Sequence, residues 1–108
     1  VNVNAEDEYG FTALHWAAKG GGIQVVKDLL KKNGIDVNAR TTWQATPLTV
    51  AAENKQHEVV EELLKNKDVD VNAKDEEGAT ALHFACEDGD IQVVEILSKR
   101  KDVNVNAE

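Results

Sequence analysis

Apolar residues recur along the chain in short stripes with helical spacing, and turn-forming residues separate one stripe from the next. In the last third of the chain, one stripe follows positions i, i+3 and i+4, and a second resumes after the Asp-Gly-Asp break at residues 88–90. The stripes consist of Leu82, Ala85 and Cys86, and then of Ile91, Val94 and Leu97. Such spacing places side chains on one face of a helix, so the pattern predicts two short helices joined by a tight turn.

Residues that favour helix ends flank these stripes. The sequence DEEG at residues 75–78 is a turn cluster, and Thr80 follows where a hydroxyl can accept a hydrogen bond from an unpaired amide of the first helical turn. Pro47 comes directly after Thr46, at the first helical position, where its missing N–H costs little. Each unit is thus predicted as a turn followed by two antiparallel helices. Helices of about eight residues are marginal alone, so stability must come from the stacking of units.

The same plan is repeated at a constant spacing of 34 residues. Four related joints begin at residues 1, 35, 69 and 103 and read VNVNAE, IDVNAR, VDVNAK and VNVNAE. Thr12, Thr46 and Thr80 keep the same step. Periods of this length indicate stacked supersecondary units. We therefore expect a single domain, residues 1–108, with repeats at about residues 7–40, 41–74 and 75–108, and with residues 1–6 as the tail of a preceding repeat.

The units resemble ankyrin repeats. Segments such as GFTALHWAAKGGGIQVVKDLL, which begins at Gly10, are similar to that family's Gly-x-Thr-Pro-Leu-His-x-Ala-Ala and Val-Val-x-x-Leu-Leu signatures, and the joints are similar to its Asp-Val-Asn-Ala signature. The resemblance covers nearly the whole chain. It implies an all-α solenoid of stacked helix-turn-helix units joined by turn or hairpin loops. It also implies a protein–protein interaction module that binds through its turn tips and the concave face of its first helices.

Several positions depart from the family pattern. Gln44 stands where the turn glycine is usual, Thr49 where histidine is usual, and Lys55 where the glycine of the helix break is usual. Ser98 replaces a core leucine in the last unit. These departures leave open the conformation of the second turn and the packing of the third unit.

The chain is acidic, with a formal net charge of −8 and a pI near 4.8. A charge of this sign repels phosphate backbones and anionic membranes, so we expect neither nucleic acid nor a membrane as partner. No apolar run approaches the roughly 18 residues of a membrane span. The single cysteine cannot form an internal disulfide. No feature of the sequence therefore requires an oxidising compartment, and the chain is compatible with the cytoplasm.

Negative charge is concentrated in the third unit. Residues 75–108 carry nine acidic and three basic side chains, a net charge of −6, whereas residues 7–40 carry four acidic and five basic side chains, a net charge of +1. A charge run is usually only a solvated face, and solubility alone is one explanation. The other is a protein partner with basic groups, whose approach an acidic surface would accelerate.

Candidate catalytic and metal-binding residues are few. The resemblance assigns His15 and His83 to backbone bridges between neighbouring loops, and His57 is expected at an exposed helix start. Three histidines and one cysteine match no zinc spacing, and Cys86 stands where a small buried residue is expected. The chain lacks the sequence signatures of nucleophilic catalysis and of phosphate-binding glycine loops. We therefore expect no enzyme, and no catalytic, cofactor-binding or metal-binding residues.

The large aromatic residues fall into two groups. Trp16 and its equivalent Phe84 stand where the family has an apolar core residue, as does Val50 in the second unit, and we expect them to pack between repeats. The aromatic residues at the turn tips are Tyr9, Phe11 and Trp43. A tip has no core behind it, so an aromatic there exposes apolar area and is suited to anchor an interface. The alternative is that each ring folds back onto its own loop.

The predicted partner-binding surface runs over the turn tips and the ends of the first helices. Its residues are Glu8, Tyr9, Phe11, Thr42, Trp43, Ala45, Glu53, Glu76, Glu77, Ala79 and Glu87. An alternative function is that of a structural or scaffold segment from a longer ankyrin array, or an engineered excerpt of one, because both ends fall at the same phase of the repeat. Bare apolar flanks would then favour weak head-to-tail self-association. The resemblance also implies that Asn38 and Asn72 suit asparagine hydroxylation.

Overall fold

The computed structural model describes residues 2–99, which form six short α-helices in three consecutive pairs. The helices are α1 (Ala13–Gly20), α2 (Ile23–Leu30), α3 (Pro47–Glu53), α4 (His57–Leu64), α5 (Ala81–Glu87) and α6 (Ile91–Ser98). No strand occurs within this range. The all-α fold and the paired helices predicted from the hydrophobic pattern are therefore confirmed. The end of the third predicted repeat, residues 100–108, lies outside the described residues.

A threonine caps the first helix of each pair. Thr12, Thr46 and Thr80 have extended backbone, and the side-chain oxygen of each accepts a hydrogen bond from the amide three residues later. In α1 the contact is reciprocal, because Nδ1 of His15 accepts a hydrogen bond from the backbone N–H of Thr12 at 3.0 Å. These caps satisfy amides that a helix leaves unpaired, and the predicted role of the threonines is confirmed.

The loop before each first helix is called a tip below, and the three tips are residues 7–11, 41–45 and 75–79. Oδ1 of Asp7 accepts hydrogen bonds from the backbone N–H groups two and four residues later, and Asp75 does the same. In the second tip the hydroxyl of Thr41 takes this role. Gln44 has a φ of 66°, close to the 77° of Gly10. The second tip therefore keeps the conformation of the others, although it lacks their glycine.

The hydrophobic core lies between successive helix pairs. Helix α3 packs between α1 and α5, and α4 packs between α2 and α6. Residues one period apart are buried together, as Leu14 with Leu48 and Val26 with Val60, and Leu97 is buried in the third unit. Each fully buried side chain of this size contributes about 1.5–3 kcal/mol. Stacking thus stabilises helices that are too short to be stable alone.

The third unit leaves one of its flanks exposed. Ala18 and Ala52 face the following unit and expose 0% and 3% of their surface, whereas Cys86, at the equivalent position, is exposed. Ile91 is also exposed, although its equivalent Ile23 packs partly buried against the core. The predicted burial of Cys86 is therefore wrong, and Ile91, which belongs to the second apolar stripe of this unit, is not covered either. The physical reason is that no unit follows the third within residues 2–99.

The first unit leaves the opposite flank exposed. Val50 is buried and Phe84 packs partly buried against the core, as expected of residues that lie between repeats. Trp16, at the equivalent position, exposes 49% of its surface, and Val25 exposes 53%. The predicted packing of Trp16 between repeats is therefore wrong, because no described helix precedes α1.

Histidine side chains connect neighbouring units. Because Nδ1 of His15 accepts from Thr12, Nε2 carries the proton and donates to the carbonyl oxygen of Ala45 in the next tip at 3.0 Å, as the resemblance implied. Nδ1 of His83 makes the same contact with its own capping threonine, and its predicted bridge to a following loop lies outside the described residues. His57 is the first residue of α4, as expected, and its Nε2 lies 2.5 Å from Oδ2 of Asp90.

Asparagine side chains clamp the joints to one another. Nδ2 of Asn38 donates to the carbonyl oxygen of Asp68 at 2.7 Å, and Oδ1 of Asn38 accepts from the N–H of Asp70 at 2.8 Å. Asn4 makes the equivalent pair of hydrogen bonds to Gly34 and Asp36. The clamp has the same form at both boundaries, so the joints fix the distance between successive units.

Candidate partner-binding surface

The three tips lie side by side and are joined through their backbones. The N–H of Thr42 donates to the carbonyl oxygen of Tyr9 at 2.9 Å, and the N–H of Glu76 donates to the carbonyl oxygen of Trp43 at the same distance. Residues that are 34 positions apart in sequence thereby become neighbours. The tip residues predicted from sequence form one continuous surface for this reason.

Aromatic rings from two tips contact one another on this surface. Tyr9 stacks on Trp43 with 5.8 Å between ring centroids and 24° between ring planes. Phe11 lies edge-on to Trp43 at 6.2 Å. Tyr9 and Trp43 remain 48% and 46% exposed. The rings therefore do not fold back onto their own loops, but meet across a repeat boundary with about half of their surface free.

Trp16 extends this group of rings, and Tyr9, Phe11, Trp16 and Trp43 are called the aromatic cluster below. The ring centroids of Phe11 and Trp16 lie 4.8 Å apart, and the indole Nε1 of Trp16 donates to Oδ2 of Asp7 at 3.0 Å. Burial acts against ionisation of Asp7, but hydrogen bonds from the N–H groups of Tyr9 and Phe11 and from Trp16 outweigh it and lower the pKa of Asp7. Trp16 was not among the predicted binding residues, because a helix position that is buried between two units lies on the surface where no described helix precedes it.

A groove of about 220 Å³ runs between the tips and the first helices. Its lining residues are Phe11, Lys19, Thr41, Trp43, Ala45, Val50, Glu53, Asn54, Asp75, Glu76 and Glu77. The predicted residues that line it are Phe11, Trp43, Ala45, Glu53, Glu76 and Glu77. The predicted residues that do not line it are Glu8, Tyr9, Thr42, Ala79 and Glu87, of which Tyr9 contacts Trp43. The prediction therefore included the aromatic residues and glutamates of the lining, and it omitted Lys19, Thr41, Val50, Asn54 and Asp75.

The groove has an acidic end and a basic end. Glu53, Glu76 and Glu77 are exposed, and none of them takes part in an ion pair within the described part of the chain. The Asp75 carboxylate is already occupied, because it accepts from two backbone amides at 2.9 Å. At the other end, Nζ of Lys19 lies 5.5 Å from the centroid of the Trp16 ring. Trp16 itself does not line the groove, so the indole that the groove joins to these glutamates is that of Trp43, which is 46% exposed.

Sites of other kinds have little support in residues 2–99. This range contains no group of three or more histidine, cysteine, aspartate or glutamate side chains that could hold a metal ion. Burial lowers the pKa of His15, which opposes protonation of its ring. Cys86 is a free and exposed thiol. None of the helices between residues 2 and 99 is both long and apolar enough to cross a membrane.

Comparison with known proteins agrees with this architecture. The family model described as ankyrin repeats (three copies) matches residues 38–108, and the model of a single ankyrin repeat matches residues 9–42. The first of these matches alone covers more than half of the chain. No curated protein matches the sequence. The paired helices, the bridging histidine and the family models lead to one conclusion, that this chain belongs to the ankyrin repeat family.

Proposed function

We propose that this protein is a non-catalytic module that binds a protein partner through its tips and the face of its first helices. Ankyrin repeats generally serve as protein–protein interaction modules. The observation that carries the proposal here is the aromatic cluster, whose Tyr9 and Trp43 rings stay about half exposed. Interface anchors are most often tryptophan, tyrosine and arginine, and the tips present the first two of these on a backbone fixed by hydrogen bonds.

The charge of the groove favours a partner with basic groups. Glu53, Glu76 and Glu77 extend from a second-unit helix and a third-unit tip and have no cationic partner among the described residues. Complementary charge speeds association and suppresses unsuitable partners. The same charge argues against nucleic acid as the ligand.

The proposal predicts that removing two anchors abolishes most of the binding. A partner is first recovered by pull-down with the whole chain and identified by mass spectrometry, and its affinity is then measured by calorimetry. We expect the double variant Tyr9→Ala, Trp43→Ala to lose about 2–4 kcal/mol of binding free energy. The far-ultraviolet circular dichroism should not change, since neither ring lies in the buried core.

A matched control lies on the second helices. Gln24 and Glu61 are exposed residues of α2 and α4 that lie away from the groove, so the double variant Gln24→Ala, Glu61→Ala should bind normally. An unchanged affinity after the loss of Tyr9 and Trp43, or partner contacts that map to the second helices, would contradict the proposed surface.

A second candidate function is that of a scaffold segment within a longer array. The observation that favours it is the pair of exposed apolar flanks, with Trp16 and Val25 on one and Cys86 and Ile91 on the other. The residues one period away from Trp16, Val25 and Cys86, which are Val50, Val59 and Ala52, are buried, and Ile23, equivalent to Ile91 in the first unit, is partly buried. The same feature supports weak head-to-tail association between chains.

A further inference from the structure

The groove beside Trp43 has the chemistry to select one kind of side chain. We propose that it receives a single arginine side chain of the partner, whose guanidinium group lies against the indole and pairs with the carboxylates of the groove. This inference rests on the proposed function and specifies its ligand. It is carried by the shape, charge and aromatic wall of the groove together.

The first step concerns charge. The three glutamates that line the groove have no ion-pair partner among the described residues. The backbone of Glu76 lies beside that of Trp43, because the N–H of Glu76 donates to the carbonyl oxygen of Trp43 at 2.9 Å. Asp75, whose carboxylate is satisfied by backbone amides, fixes the tip without competing for a ligand. The three exposed glutamate carboxylates that line the groove without an ion-pair partner are suited to a cation.

The second step concerns the aromatic wall. Tyr9 stacks on the Trp43 indole but does not line the groove, so the groove is bounded by another part of the indole. The surface already contains one example of a cation on such a ring, because Nζ of Lys19 lies 5.5 Å from the centroid of the Trp16 ring. A partner's cation beside Trp43 would make the equivalent contact.

The third step separates arginine from lysine. A guanidinium is planar, stacks on aromatic rings and donates two parallel hydrogen bonds to a carboxylate. An ammonium is a compact and strongly hydrated point charge that gains little from a flat wall. A cleft that combines an indole with several free carboxylates therefore suits arginine better.

The fourth step limits the ligand to one cation. Lys19 lines the groove at the end nearer to α1, and the first unit carries a net charge of +1. A second basic side chain placed there would be repelled. We infer that the partner segment presents one arginine toward the third tip and a neutral or acidic residue toward Lys19.

The test uses the whole chain and a blocked peptide, acetyl-Gly-Arg-Gly-amide, in a titration followed by two-dimensional NMR. Matched peptides replace arginine by citrulline, which keeps the shape without the charge, and by lysine. We expect the arginine peptide to shift the Trp43 indole N–H and the amides of residues 53 and 75–77. Its affinity should exceed that of the citrulline peptide by about tenfold, because citrulline keeps N–H donors but lacks the charge that strengthens their hydrogen bonds to a carboxylate.

Variants assign the contacts. Trp43→Ala and the double variant Glu53→Gln, Glu76→Gln should each weaken arginine-peptide binding at least severalfold, while circular dichroism verifies that they fold. Glu95→Gln removes an exposed glutamate from α6, away from the groove, and should leave binding unchanged. Equal binding of the lysine peptide, shifts that map elsewhere, or full binding by the Trp43→Ala variant would each overturn the arginine site.

The outcome is distinguishable from failure of the proposed function. If the captured partner depends on Tyr9 and Trp43 but the arginine peptide does not bind, the arginine site is wrong and the interaction surface stands. If the peptide binds as expected but the partner binds the double alanine variant with unchanged affinity, the proposed function is wrong and the arginine site stands.

Discussion

At the scale of single residues, two positions adopt a backbone conformation that favours glycine. Gln44 and Lys55 have φ of 66° and 60°, while the glycines equivalent to Lys55, Gly21 and Gly89, have 73° and 65°. A side chain in this left-handed region is strained by its Cβ atom. The turn geometry is therefore imposed by the hydrogen bonds around it rather than by local preference.

Replacing one of these residues by glycine should stabilise the fold. We expect Lys55→Gly to raise the free energy of unfolding by up to about 1 kcal/mol in a urea titration, because relief of strain exceeds the added entropy of the unfolded chain. The reverse change, Gly89→Lys, should lower it by a similar amount, since the position has open space and only the backbone conformation opposes a side chain. A loss of stability in Lys55→Gly, or a gain in Gly89→Lys, would show that strain does not decide these turns.

His15 makes the stability of the fold depend on pH. Burial lowers its pKa in the folded state, although hydrogen bonds to the carbonyl oxygens of Ala45 and Ala39 and the nearby carboxylates of Glu6 and Asp36 oppose this effect. Below its ordinary value of 6.5, the unfolded chain binds a proton at His15 that the folded chain does not. The free energy of unfolding should therefore fall as pH decreases from 6.5 toward the lowered pKa, and be unaffected by His15 above that range.

Urea titrations at several pH values measure this dependence. The variant His15→Gln should lose the slope just below pH 6.5, whatever its overall stability. Asp7, whose pKa is also lowered, contributes only in a separate range below its ordinary value of 3.8, where stability is lost as the carboxylate is protonated. A slope that survives in the His15 variant would assign the effect to another group.

At the scale of elements, the sequence predicted what each unit does by itself. The threonine caps, the helix breaks and the two stripes depend on contacts within about one helical turn, so a single unit carries their signal. The second tip was left open by Gln44, and the structure resolves it because Thr41 supplies the hydrogen bonds that Asp7 supplies in the first tip. The replacement of the tip aspartate by Thr41 is recognised only when the three units are aligned.

Properties that depend on a neighbouring unit were not predictable in the same way. Ala18 and Cys86 occupy equivalent positions, but one is buried and the other exposed, because burial is decided by the next unit and not by the residue. The groove is also a product of adjacency, since Lys19 comes from the first unit and Glu76 from the third. Sequence patterns named its aromatic and acidic residues without revealing which of them share one cleft.

Thr49 occupies the position from which, in the first unit, His15 bridges to the next tip. Its hydroxyl donates to the carbonyl oxygen of Thr46 in its own cap at 2.9 Å, whereas His15 at the equivalent position reaches the next tip. We expect Thr49→His to create a bridge to the carbonyl oxygen of Ala79, the equivalent of Ala45, and to raise the free energy of unfolding by about 0.5–1.5 kcal/mol.

A matched variant separates bridging from packing at this position. Thr49→Phe fills similar volume without a donor and should not stabilise the fold, because Thr49 is already buried. Urea titration gives both values, and exchange of the imidazole N–H with solvent reports the new hydrogen bond. A destabilised histidine variant would mean that the site between the second and third units is too tight for the ring.

At the scale of the whole molecule, the stack carries complementary flanks. Apolar side chains are exposed at Trp16 and Val25 on the first unit and at Ile91 on the third. Each 100 Å² of apolar surface that remains in water forgoes about 2.5 kcal/mol. The flanks also differ in charge, since the third unit is strongly acidic and the first is slightly basic.

These flanks should associate head to tail at high concentration. We expect the weight-average sedimentation coefficient to rise with concentration, and Ile91→Lys to suppress the rise by placing a charge in the contact. Gln92→Lys adds the same charge to an exposed neighbour on α6 and serves as the control. A chain that stays monomeric at every concentration would show that its flanks are adequately covered in solution.

The repeated asparagine clamp has a genetic consequence. Asn4 and Asn38 each hold the joint that follows with the same pair of hydrogen bonds, so one boundary is interchangeable with the next. Recombination between two copies of the coding sequence, misaligned by 34 codons, would insert or delete one whole unit and leave both junctions intact. Such an array can change its length without any compensating substitution. The number of tips that it presents to partners then depends on how many units recombination has added or removed.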